Sequence, residues 1–298
     1  MIAVAPTTLA AGDIVLPESP IDPHPADTTP AGAGRLRCSL VNGATAVCEV
    51  QAASPLKLLC LRRRSECAWI FASTYGGGLV AGDHIRLDAA FDPATRCFLG
   101  TQASTKIYRS TRERISRQSL HATLGADSLC VAAPDPIVCF AHARFQQRQR
   151  FDLDPSASLL LIDWLTSGRH ANGERWAFDR YDSGIDVRIG GKLLVRETLL
   201  LDPADGPIGS RSRMGRFDCF ATMILVGPMV RPIAEAILRF TAAAPVGESD
   251  LLFAASPLAD GAICRIAGPS AQAVGGWMHD RLWGISAMLG ESPWERKR

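Results

Sequence analysis

GGGLVAGDHIRLDAAFDPATRCFLGTQASTKIYR, residues Gly76 to Arg109, decides the fold. After Gly76, Gly77, Gly78 and Gly82 the chain alternates, with Ile85, Leu87 and Ala89 on one face and Arg86, Asp88 and Ala90 on the other, the period of a half-buried strand. Asp92-Pro93 reads as a turn, and Arg96 to Thr101 as a second strand leading into the polar run Gln102, Ser104, Thr105 and Lys106. The glycines fit neither common nucleotide loop. Gly82 is followed by Asp83 and His84 rather than Lys-Ser/Thr, which excludes a Walker loop. Gly76, Gly78 and Gly82 are one residue too widely spaced for the dinucleotide fingerprint and open a strand instead of a helix. What is left is structural: glycine where a sheet turns with positive φ or where backbones approach closely.

Outward from this stretch the strand rhythm continues in both directions. Leu36 to Val41, Ala46 to Gln51, Leu56 to Leu61 and Cys67 to Ala72 are short apolar alternations, punctuated by Asn42-Gly43, Ser54-Pro55 and the basic turn Arg62-Arg63-Arg64. Downstream, Arg117 to Leu124, Ser128 to Ala133, Ile137 to Phe140 and Ala143 to Leu153 repeat it. The last of these presents Arg144, Gln146, Arg148 and Arg150 as a solvated basic face. Leu159 to Trp164 is a continuous apolar run broken only by Asp163, compatible with a buried strand or the start of a short helix. Trp176 to Ile189 and Lys192 to Leu201 form a hairpin through Gly190-Gly191. In the C-terminal third, one helix is predicted over Pro228 to Phe240. A second, capped by Ser270, carries Val274, Trp277 or Met278, Leu282, Ile285 and Leu289 on one face. The fold class is therefore mainly β: a single large domain of many short strands, layered or β-helix-like, with about two α-helices in the C-terminal third. Residues 1–34, rich in proline, read as a flexible leader, 35–298 as the domain, and Trp294 to Arg298 as a frayed basic tail.

Composition narrows the function. With 298 residues and 47% hydrophobic content the chain can bury a large core, and 32 basic against 30 acidic residues is too balanced for a nucleic-acid or anionic-membrane binder. The nine cysteines are scattered, without a Cys-x-x-Cys pair, as in a reduced cytoplasmic protein. No apolar run is long enough to span a membrane, and the N-terminus lacks the basic start of a signal peptide.

Enzyme signatures are absent: there is no Gly-x-Ser-x-Gly elbow and no His-Glu-x-x-His pair. A folded enzyme can still assemble its site from distant residues, and the candidate here is a metal-dependent hydrolase built on Asp83, His84 and Asp163. A carboxylate inside the apolar run around Asp163 requires a partner. Arg169 and Glu174 lie nearby along the chain, so an Asp163–Arg169 or an Arg169–Glu174 pair would satisfy the charge.

Three segments taken together resemble a known family. GGGLVAGD with GTQASTKIYRS, then PDPIVCFAHARFQQ at Pro134 to Gln147, then GRHANGE at Gly168 to Glu174, resemble the successive signatures of the urease accessory proteins called UreD or UreH. The resemblance covers residues 35 to the end and is strongest between Gly76 and Glu174. It implies a β-rich, non-catalytic nickel-insertion chaperone or scaffold that binds a UreF-like accessory protein, recruits a UreG-like GTPase and docks on the urease apoprotein. No cofactor would be permanently bound. Nickel would pass transiently along an internal polar passage, for which the matching carboxylates are Asp83, Asp163 and Glu174. Gly77, Gly78, Gly82, Thr101, Gln102, Thr105, Lys106, Arg109, Gly168 and Arg169 match the family signatures. For Thr101, Gln102, Thr105, Lys106 and Arg109 two readings stand open: lining the passage, or pairing buried backbone groups.

Overall fold

The computed structural model describes residues 29–61, 65–244 and 249–294. In chain order its strands are β1 Ala33–Val41, β2 Ala44–Ala52, β3 Leu56–Cys60, β4 Ala68–Thr74, β5 Gly78–Leu79, β6 His84–Phe91, β7 Arg96–Thr101, β8 Lys106–Ile107 and β9 Ser116–Leu124. They continue with β10 Leu129–Ala132, β11 Ile137–Cys139, β12 Arg144–Leu153, β13 Ser158–Thr166, β14 Arg180–Ile189, β15 Lys192–Leu201, β16 Cys219–Val226, β17 Leu252–Leu258 and β18 Gly261–Gly268. The helices are α1 Arg231–Ala243, α2 Ala271–Arg281 and α3 Gly284–Leu289.

The strands stack as a solenoid. β1, β6, β9, β12 and β14 pair in parallel in one sheet, sheet A. β4, β7, β10 and β13 pair in parallel in the other, sheet B. The short β5, β8 and β11 make a parallel strip that joins sheet B where β11 pairs with the C-terminal end of β13. Each coil thus visits sheet A, then sheet B, then the strip. The residues in register across sheet A, Leu87, Leu120, Gln149 and Ile185, are unequally spaced along the chain, which is why the stacking leaves no repeat of fixed period in the sequence. Antiparallel strands close both ends: β2 and β3 at one, β15 and the β16–β18–β17 set at the other.

Two layers of core follow from this arrangement. Between the sheets lie Leu87, Phe91, Leu99, Phe151, Leu159 and Ile224; between sheet B and the helices lie Phe98, Met223, Ile233, Trp277, Ile285 and Leu289. Sheet B is covered on both faces, so β13 and β16 read as continuous apolar runs, and Leu159 to Trp164 is strand throughout. Sheet A faces solvent on one side, and β6 shows the clean alternation that the sequence predicts, with Ile85, Leu87, Ala89 and Phe91 buried. Asn42-Gly43 and Gly190-Gly191 both carry positive φ, as two-residue hairpin turns require.

Several boundaries differ from the sequence reading: the helix expected over Pro228 to Phe240 runs from Arg231 to Ala243, and the hairpin strand expected from Trp176 begins at Arg180. Residues 1–28 of the expected leader, the arginine triplet at 62–64 and residues 295–298 of the tail lie outside the described residues, while the chain enters β1 at Ala33, inside the expected leader. Ser270 does cap α2, its Oγ accepting from the Ala273 N–H at 3.1 Å, but the apolar face from Val274 to Leu289 is divided between α2 and α3. The break sets Gly284 against Ile233 of α1, 3.3 Å from where a Cβ would stand. Trp294 is no frayed end: its indole stacks on His279 with ring centroids 4.2 Å apart.

Candidate functional site

On β12 the face opposite the arginines holds Phe145, Gln147, Gln149, Phe151 and Leu153, all buried between the sheets. Two glutamines on an inward face are the feature that a reading of the strand by its basic side overlooks; their alternation with phenylalanine is the signal that marks them. Gln147 is in register with Gln118 of β9 and Ser183 of β14, which puts a polar row across sheet A. Facing it, sheet B sets Asp163 of β13 in register with Thr222 of β16, and Thr222 with Arg265 of β18.

Asp163 sits where these rows meet. Gln147 Nε2 donates to its Oδ1 at 2.6 Å and Ser183 Oγ to its Oδ2 at 2.9 Å. Burial pushes this carboxyl above its usual range, against the opposing pull of the Gln147, Ser183 and Gln149 donors, and the nearby Glu197 charge adds to the rise. The buried hydroxyls of Thr166 and Tyr181 have no hydrogen-bond partner among the described residues. At the far end of the row Arg265 holds Glu197 of β15 through two hydrogen bonds, closing the gap between the sheets.

At the other end the layer opens. A cleft of about 300 Å³ is lined by Ser73, Gly77, Thr101, Gln102, Thr105 and Gln118. Thr101 and Gln118 also border a second, smaller space of about 70 Å³ that Gln149 lines as well. That space has polar groups and room for water. A polar seam therefore runs along the solenoid axis from an open mouth to a buried carboxylate.

The structure separates the residues singled out from the sequence. Gly77, Thr101, Gln102 and Thr105 gather at the mouth, although Thr101 also pairs backbone, its Oγ1 accepting from the Asp135 N–H at 2.7 Å. Lys106 and Arg109 are exposed. Asp83 closes the turn before β6, its Oδ2 accepting from the Val80 N–H at 2.9 Å, with Gly82 at positive φ beside Arg114. His84 points outward from sheet A to Ser119 Oγ at 3.2 Å. Asp83, His84 and Asp163 are thus not one site, and among the described residues no group of three or more His, Cys, Asp or Glu side chains is placed to hold a metal.

Glu174 is bound by Arg169 rather than by Asp163's neighbours. Arg169 Nε donates to Oε2 at 2.9 Å, Nη2 donates to Oε1, the Ala141 N–H adds a bond at 3.2 Å, and the guanidinium lies 4.0 Å over Phe140. Gly168 turns the chain into this loop with φ 129°. Of the two ion pairs weighed from the sequence, Arg169–Glu174 forms, and Asp163 takes neutral donors instead. The Arg169 guanidinium, helped by the Ala141 N–H, holds Glu174 below the usual carboxylate range. Its stabilising effect is full above the unfolded value of about 4.3 and is lost as pH falls through the lowered folded value. Glu174→Gln is accordingly expected to lower the thermal midpoint by a few degrees at neutral pH, with the gap to wild type closing in acid; melting curves across pH check it.

Comparison with known proteins identifies the family of the chain. The family model described as UreD urease accessory protein matches residues 31–297. The chain is 44% identical over 268 residues to "Urease accessory protein UreD" of Sorangium cellulosum, covering 90% of this chain and 84% of the relative. It is 42% identical over 275 residues to the protein of that name from Anaeromyxobacter sp., covering 92% of each. "Urease accessory protein D" of Arabidopsis thaliana is 31% identical over 292 residues, with 88% of this chain and 99% of the relative covered. A match over nearly the whole described solenoid, with relatives of similar length, establishes that the chain belongs to the UreD family of urease accessory proteins.

Proposed function

We propose that this chain serves urease maturation as a non-catalytic cytoplasmic scaffold that binds UreF-like and UreG-like partners, docks on the urease apoprotein, and lets nickel pass as cargo along the polar seam. Membership of the family supports the role in urease maturation. The observation that carries the route is the seam itself: an otherwise apolar inter-sheet core interrupted by Thr101, Gln118, Gln149, Gln147, Ser183 and Asp163. Amide, hydroxyl and carboxylate oxygens suit a borderline divalent cation and release it readily, unlike a closed thiolate cage. Within this reading Asp163 is the ligand on the route. Asp83 and Glu174 support it structurally, because the Val80 N–H and the Arg169 guanidinium already occupy their carboxylates. Seven of the nine cysteines are buried as free thiols in the core, in keeping with a reducing compartment, and no helix among the described residues is long and apolar enough to cross a membrane.

The test is co-expression of the tagged chain with and without the UreF-like partner, followed by pull-down and urease activation with limiting nickel. Co-purification, a gain in soluble yield and nickel-dependent activation are expected. A chain that is soluble alone, captures neither partner and activates nothing would overturn the reading.

A further inference from the structure

The outward face of sheet A carries a groove that the cargo route does not use. It has a volume of about 460 Å³ and runs across the strands on the side of the sheet opposite the inter-sheet seam. Its floor follows from register. Arg86, Ser119, Arg148, Gly184 and Thr198 stand side by side on β6, β9, β12, β14 and β15, so three small residues leave a trough between longer neighbours. The next row, Asp88, His121, Arg150, Asp186 and Arg196, forms one wall.

The arginines of this trough are held in position with donors to spare. Arg150 gives Nε and Nη2 to Asp152, at 2.7 and 3.0 Å, and Arg196 gives the same pair of nitrogens to Asp186, both at 2.8 Å, so each keeps Nη1 for a ligand. Among the described residues Arg148 is anchored through Nη1, to Asp182 and to the carbonyls of Gln147 and Asp182, which leaves Nε and Nη2. Arg86, 60% exposed, has among the described residues only a 3.6 Å ion-pair contact, with Asp88. Guanidinium groups fixed on one side and open on the other are arranged for carboxylates. The carboxylates between them space the positive charge, which disfavours the continuous phosphates of a nucleic acid. From Arg86 on β6 to Arg196 on β15 is four strand spacings, about 19 Å, or roughly six residues of extended chain.

We propose that this groove docks an extended acidic peptide segment of a partner protein, its carboxylates engaging Arg86, Arg148, Arg150 and Arg196 over the Ser119–Gly184–Thr198 floor. Gly184 supplies a charge-neutral test, because a side chain there fills the trough and meets first the Arg148 side chain, whose Cδ lies 3.3 Å from the Cβ position. The experiment is fluorescence anisotropy of a labelled peptide of alternating glutamate and serine, about six residues long, titrated with the purified full chain. Salt-sensitive binding is expected, with Arg86→Glu and Gly184→Val each weakening it about tenfold while thermal midpoints stay put. Failure of the wild type to bind would overturn the proposal, as would binding unchanged in both variants, or an oligothymidylate that binds as tightly as the peptide. If Gly184→Val does not fold, the Arg86→Glu result decides.

Discussion

Asp163→Asn is expected to fold as well as wild type at neutral pH, or better, and to lose nickel-dependent urease activation. The first half follows from burial. Asp163 lies between the sheets with its two oxygens accepting from Gln147 and Ser183, and no cation pairs with it among the described residues. Its folded value stands above the ordinary carboxylate value of about 3.9, so between those two values the native state holds a proton that the unfolded chain has released. The stability contributed by the neutral acid is complete below that unfolded value and is lost as pH rises through the raised folded one. Asparagine stays neutral throughout. The midpoint of Asp163→Asn should therefore gain on wild type as pH rises from acid to neutral, and melting curves over that range read the sign directly. Asp163→Ala separates charge from hydrogen bonding: it strands the Gln147 and Ser183 donors, each costing about 1–3 kcal/mol, and should melt lower at every pH. On the proposed route, activation is expected to fall in both variants, because neither would offer a carboxylate to nickel. Retention of full activation by a well-folded Asp163→Asn would remove Asp163 from the route.

The contrast between what β6 and β13 disclose explains how far the sequence could be read. β6 has solvent on one side, so Ile85, Leu87 and Ala89 alternate visibly with Arg86 and Asp88. β13 is covered on both sides, which erases the alternation and leaves strand and helix equally compatible with Leu159 to Trp164. Parallel stacking joins residues many positions apart, and coils of unequal length hide the repeat that would have shown it. The site follows the same logic. The sequence shows that Asp163 needs a partner, but the neighbours it offers, Arg169 and Glu174, close on each other. The true partners, Gln147 and Ser183, come from strands of the opposite sheet and are brought in by register alone. The mouth was more legible, because Gly77, Thr101, Gln102 and Thr105 belong to the one continuous stretch that turns around it.

The glycine triplet in that stretch is expected to split into two classes on substitution by alanine. Gly76 and Gly77 have φ of 80° and 71° with nothing within 4 Å of a Cβ, so each tests backbone conformation alone and should cost about 1–2 kcal/mol. Gly78 is extended, φ 174°, where any residue is conformationally content, yet its Cβ would stand 2.4 Å from the Lys106 carbonyl oxygen and 2.8 Å from the Tyr108 ring. Those atoms belong to the β5–β8 pairing, and Tyr108 is further fixed by its hydroxyl donating to the Gly76 carbonyl at 3.0 Å and by its edge contact with Phe140, 5.1 Å between centroids. The neighbour cannot yield without breaking the parallel strip where it borders Leu79 and Ile107, both fully buried. Gly78→Ala should cost about 3 kcal/mol, at the upper end of overpacking effects, and release Tyr108. Denaturant melts of the three variants give the ordering, and proteolysis between Gly78 and Tyr108 reads the loosened strip. Equal costs at Gly77 and Gly78 would mean that the strip gives way readily, and that the triplet serves only to turn the chain.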